Sequence, residues 1–85
     1  MQLTKANQNN LQEKIMNLNE AMEGKEYIIK DIVTGDEEVD AFLLSLGCYS
    51  GEAVTVIAHL QGVCIIAVKD GRYTIDRELA ENILI

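Results

Sequence analysis

The chain has 85 residues, a formal net charge of −7 and an apolar fraction of 48%, which describes one small domain with one core. The acidic balance excludes a nucleic-acid reader, which needs a basic face to displace counterions, and gives no attraction to an anionic membrane surface. No stretch approaches the ~18 apolar residues of a membrane span; the longest apolar run, Val63 to Val68, has the length of a strand.

Residues 1–15 read as an N-terminal extension, with a polar tract at Asn7-Gln8-Asn9-Asn10. Leu11, Ile15, Leu18 and Met22 recur at helical spacing and predict either a frayed segment or an amphipathic helix covering the domain or a partner. Asn19 is the expected cap of a turn through Glu20-Ala21-Met22, stopped at Gly24. Tyr27 to Val33 is rich in β-formers and is broken by Thr34-Gly35. Asp36 then begins a helix over about 36–46, with Glu37 and Glu38 where the helix dipole favours negative charge. Val39, Phe42, Leu43 and Leu46 fall on one face, which predicts core, and Gly47 supplies the left-handed stop.

Strands follow. Glu52 to Leu60 places Val54, Val56 and Ala58 on one face and Thr55, Ile57 and His59 on the other. Gln61-Gly62 turns into the strand Val63–Val68, and Lys69-Asp70-Gly71-Arg72 predicts a hairpin turn centred on Asp70-Gly71. Arg72 to Asp76 alternates with Tyr73 and Ile75 inward. A helical turn near 77–82, with Leu79 and Ala80 tucked in, precedes a last short strand at Ile83-Leu84-Ile85. About five short strands and one inserted helix are too few for a sandwich of two large sheets. They predict a mainly β fold, a small SH3-like barrel over 16–85 that satisfies most strand edges around one core.

Catalytic motifs are missing, and the chain is expected not to be an enzyme. Cys48 and Cys64 stand outside any Cys/His cluster, which argues against a disulfide framework or a structural zinc site and for a reducing, cytoplasmic setting. The N-terminus shows no charged-then-apolar blocks of a secretory signal. Cys64 is expected to be a buried thiol that His59 faces across the Gln61-Gly62 hairpin. The acidic run Asp36, Glu37, Glu38, Asp40 is explained by a solvated helix start. No cofactor is required, and His59 with a nearby carboxylate is the one weak candidate for a divalent ion such as Fe²⁺.

Gly24-Lys25-Glu26-Tyr27 with Ile29 and Ile32, then Leu43 to Gly51 with Val54 and Val56, resembles the FeoA family. Gln61-Gly62-Val63, Val68, Gly71 to Ile75 and Leu79 to Ile83 resemble that family's glycine-started hairpin and closing segment. The likeness covers about residues 16–85, and its most specific part is the Leu46-Gly47-x-x-x-Gly51 element after a helix. Each of Gly47, Gly51 and Gly71 is read as a turn residue. Two departures stand out: the helix start is acidic where the family is usually basic, and Ser50 replaces a common proline. The resemblance implies a cytoplasmic accessory of bacterial ferrous iron import that binds and regulates the FeoB membrane transporter, which carries a cytosolic GTPase domain. Neither nucleic acid nor membrane insertion enters this reading.

Leu44 lies off the helix's apolar stripe and Tyr49 lies on the following loop, so the expected partner contact is Leu44, Cys48 and Tyr49. The alternative is a free-standing metal-sensing module, related to the C-terminal SH3-like domain of iron-dependent repressors.

Overall fold

The computed structural model describes residues 15–85; Leu11 and the polar tract at 7–10 lie outside the described residues. Asn17, not Asn19, caps the first element. Its side chain accepts the Asn19 N–H at 2.9 Å while Glu20 Oε1 accepts the Asn17 N–H at 2.9 Å, a reciprocal box around one 3₁₀ turn, Leu18–Glu20. Leu18 is fully buried and Met22 is 66% exposed. The two share no helix face, because the chain turns extended at Ala21.

The segment from Tyr27 to Val33 forms two strands, β1 (Glu26–Ile28) and β2 (Asp31–Ile32), in different sheets. Ile29 and Lys30 carry the chain across: the Ile29 N–H bonds Glu52 O at 2.9 Å and the Lys30 N–H bonds Leu84 O at 2.7 Å. Helix α1 (Glu37–Leu46) has the predicted ends. Asp36 Oδ1 accepts the Glu38 N–H at 2.9 Å, and Gly47 closes the helix at φ 101°. Its predicted core face needs one correction. Leu43 is buried, with Val39 and Leu46 packed beside it, but Phe42 is 51% exposed, because the barrel covers only the Leu43 line of the helix.

Strands β3 (Ala53–Leu60), β4 (Val63–Val68) and β5 (Gly71–Asp76) make a meander, and β1 pairs with β3, giving the antiparallel order β1-β3-β4-β5. A short helix α2 (Arg77–Ala80), capped by Asp76, leads to β6 (Ile83–Leu84), which pairs with β2. Six strands in two antiparallel sheets thus enclose one core, as an SH3-like barrel. Its large, fully buried side chains include Leu18, Ile29, Leu43, Ile66 and Ile83, each worth about 1.5–3 kcal/mol of burial.

Two register details differ from expectation. Val56 pairs with Ile66 but Ala58 pairs with Ile65, so Ile57 is an extra, bulged residue. The bulge reverses the alternation beyond it. Ala58 joins the outer face, and His59 turns to the core side opposite Cys64. At the second hairpin, Val68 pairs with Gly71, so the two-residue loop is Lys69-Asp70 and the turn sits one residue earlier than predicted. Lys69 takes the positive φ of 52°, and Gly71 has none.

Candidate partner-binding cleft

The site begins where α1 stops. With Gly47 in the left-handed region, its N–H reaches back to the last carbonyls of the helix and the Cys48 N–H bonds Leu43 O at 2.9 Å. That reversal sends the Cys48 side chain into the core, 2% exposed, and brings Tyr49 to the surface half-buried. Leu44 and Tyr49 both line one cleft, whereas Cys48 is buried in the core and does not line it. Burial pushes both the Cys48 and the Cys64 thiols above their ordinary range, because a thiolate there would lose its hydration.

The opposite wall comes from the β4–β5 hairpin: Lys69, Asp70, Gly71 and Tyr73. The open cleft between them has a volume of about 520 Å³. Lys69 organises it. Its methylenes lie over Gly47, where a Cβ would stand 3.2 Å from Lys69 Cδ, an approach the flexible lysine stem can yield to, so Gly47 is needed for its φ. The Lys69 ammonium bonds Glu52 Oε1 at 3.0 Å and stands 5.2 Å from the Tyr49 ring centroid, within cation–π range. The Tyr49 side chain first, and then the bond to Glu52, hold Lys69 above its ordinary pKa. The bond from Lys69 correspondingly holds Glu52 below its own.

The cleft mixes apolar and polar groups: Leu44 is 59% exposed and Tyr49 and Tyr73 present half-buried rings, while Ser45, the Glu52-paired Lys69 and the exposed Asp70 line it as well. An exposed apolar side chain and aromatic rings bordered by polar groups have the make-up of a protein–protein contact. Lys69 and Tyr73 were not among the residues expected here. They are separated from Leu44 by more than twenty positions, and no spacing in the sequence joins them to it.

The FeoA domain model matches residues 16–85. The chain belongs to the FeoA family. Among solved structures, an iron uptake regulatory protein (FeoA) superposes with a TM-score of 0.72 at 27% identity, covering 84% of this chain and 93% of that one. A manganese-dependent transcriptional repressor superposes with a TM-score of 0.76 at 16% identity, covering 84% of this chain. That second likeness is one of fold, and this FeoA-family chain spans only 40% of the repressor's length. No curated protein matches the sequence.

Elsewhere in this FeoA-family barrel, His59 meets Cys64 as the hairpin predicts, with Nδ1 3.5 Å from Cys64 Sγ. Its Nε2 is 2.8 Å from Ala21 O, so both ring nitrogens are engaged in tying the first turn to the β3–β4 hairpin. The nearby carboxylate, Glu23, accepts the His59 backbone N–H at 2.7 Å. Among the described residues, no group of three or more His, Cys, Asp or Glu side chains is arranged to hold a metal ion. No helix among them is long and apolar enough to cross a membrane. The acidic helix start does local work: Asp36 caps α1, and Asp40 Oδ1 accepts the Thr34 hydroxyl at 2.5 Å. Phe42, displaced from the core, lines a second open groove of about 360 Å³ between α1 and α2.

Proposed function

We propose that this FeoA-family chain is a non-enzymatic accessory of bacterial ferrous iron uptake, acting by binding the cytosolic part of a FeoB-type transporter through the Leu44–Tyr49 cleft. The observation that carries the reading is Leu44, a large apolar side chain 59% exposed on the rim of a cleft whose opposite wall supplies Lys69 and Tyr73. Exposed apolar and aromatic groups around a pocket are the composition of interface anchors. The cleft is held by the left-handed Gly47 and by the Lys69–Glu52 bond, so little ordering cost falls on binding. Regulation by such a module needs no chemistry of its own, only a difference in affinity for two states of the transporter.

The test is an NMR titration of the labelled chain with the transporter's cytosolic GTPase domain. Shifts confined to Leu44, Tyr49, Lys69 and Tyr73 are expected. A flat titration up to about 1 mM, where binding is worth only ~4 kcal/mol, would overturn the reading, as would shifts confined to the Phe42 groove.

A further inference from the structure

The outer face of the four-stranded sheet is unusual for a single-barrel domain. An antiparallel sheet with one face to the core ordinarily carries polar residues on the other. Here the outward positions of the central strands are uncharged: β3 presents Thr55, Ala58 and Leu60, and β4 presents Val63, Ile65 and Ala67. Leu60 is 50% exposed, and Ile28, outward on β1, is 54% exposed. In a chain of net charge −7, central strands without an outward charge put little like-charge repulsion in the way of a second copy.

Charge lies at its margins: Glu26 is outward on β1, and Arg72 and the α2-capping Asp76 are outward on β5. Glu26 pairs with Thr55, Thr55 with Ala67 and Ala67 with Arg72, so the four form one row across the sheet, an acid at one end and a base at the other. Both end residues are exposed, and among the described residues neither has an ion-pair partner. Consider two such faces packed together. A two-fold axis in the interface, parallel to the strands, lays β1 of each copy over β5 of the other, so each Glu26 meets the other copy's Arg72. A two-fold perpendicular to the strands lays Glu26 on Glu26 and Arg72 on Arg72, which is repulsive. Small and β-branched side chains in between suit face-to-face sheets about 10 Å apart with nearly aligned strands.

We propose that the outer face of the β1-β3-β4-β5 sheet is a self-association surface, on which a second copy of this chain packs about a two-fold axis parallel to the strands with reciprocal Glu26–Arg72 pairs. Four strands averaging about six residues present roughly 400 Å² of projected area, small against the ~800 Å² per partner of stable complexes. The dimer is therefore weak and reversible. This surface is separate from the Leu44–Tyr49 cleft, and its test does not depend on the transporter reading.

Sedimentation of the full chain from about 10 μM to about 1 mM is expected to show a monomer–dimer equilibrium. Arg72→Glu, which sets two carboxylates against each other at both ends, should weaken it at least tenfold, and Ile65→Lys should abolish it. Adding Glu26→Arg to Arg72→Glu should restore association, because the swap recreates both pairs. Circular dichroism of each variant checks that these outward positions leave the fold intact. A monomer throughout the concentration range overturns the proposal. So does a dimer that survives both single variants, or a charge swap that fails to restore one.

Discussion

The Tyr73 ring lies so close to the Gly71 backbone that a Cβ on residue 71 would stand 2.6 Å from Tyr73 Cζ and 2.8 Å from Cε2. Since Gly71 has no positive φ, the glycine is required there for room. Gly71→Ala should displace the ring from the cleft wall and cost about 1–3 kcal/mol, as overpacking does. For a domain of this size that is a fall in Tm of about 4–8 °C per kcal/mol. In a Tyr73→Ala background the same change should cost almost nothing, since only the ring objects to the methyl. Additive losses in a double-mutant cycle would show that the backbone, not Tyr73, excludes the side chain.

Adjacent leucines on α1 should respond in opposite ways. Leu43 is fully buried and Leu44 is 59% exposed. Leu43→Ala should cost about 2–5 kcal/mol, the transfer and cavity loss of a core leucine. Leu44→Asp should change stability by less than about 0.5 kcal/mol while abolishing binding to the transporter's GTPase domain. Thermal melts and a binding titration on the two variants read this directly; a large loss of Tm in Leu44→Asp would make Leu44 a packing residue.

How much of this was legible in the sequence depends on the range of the signal. Helix α1 is readable end to end because Asp36, Gly47 and the Leu43 line act within a few residues of one another. That Leu44 and Tyr49 reach the surface side by side is readable for the same reason, since five positions and one chain reversal separate them. The bulge at Ile57 is not readable: it is set by how β3 must curve against β4, and it exchanges the faces of Ala58 and His59. Phe42 has the periodicity of a core residue, but the small barrel covers too little of the helix to bury it. Lys69 and Tyr73 join the cleft only through the tertiary fold. The burial of Cys48 follows from the direction in which the left-handed Gly47 throws the chain, which composition does not encode.

The two thiols should be nearly inert in the folded protein. Cys48 and Cys64 are 2% and 0% exposed, and burial raises the pKa of each, with Arg77 opposing it slightly at Cys64. The thiolate is the reactive form, so both accessibility and ionisation slow attack. Alkylation at neutral pH followed by mass spectrometry should leave the native chain unmodified over the time in which the denatured chain takes up two labels. Rapid labelling of Cys48 alone would mean that the loop after Gly47 opens, exposing the floor of the cleft.

The ion pair over the cleft gives a pH signature whose sign is fixed by the direction of the shifts. The bond from Lys69 lowers the Glu52 pKa, so this contribution is present above the unfolded value and is lost as pH falls through the folded one. Tyr49 and Glu52 raise the Lys69 pKa, so that contribution is present below the unfolded value and is lost as pH rises through the folded one. The pair therefore acts through the neutral range and disappears at both extremes. Lys69 is exposed and Glu52 only partly buried, so salt screens the effect and stability reports it poorly; the carboxylate's own titration is the better readout. Lys69→Met keeps the methylene stem over Gly47 and removes the ammonium. In an NMR pH titration, Glu52 should then move up toward the ordinary carboxylate value, and the Tyr49 ring resonances should shift with the loss of the cation. If Glu52 titrates identically in the variant, the Lys69 ammonium is not what lowers its pKa.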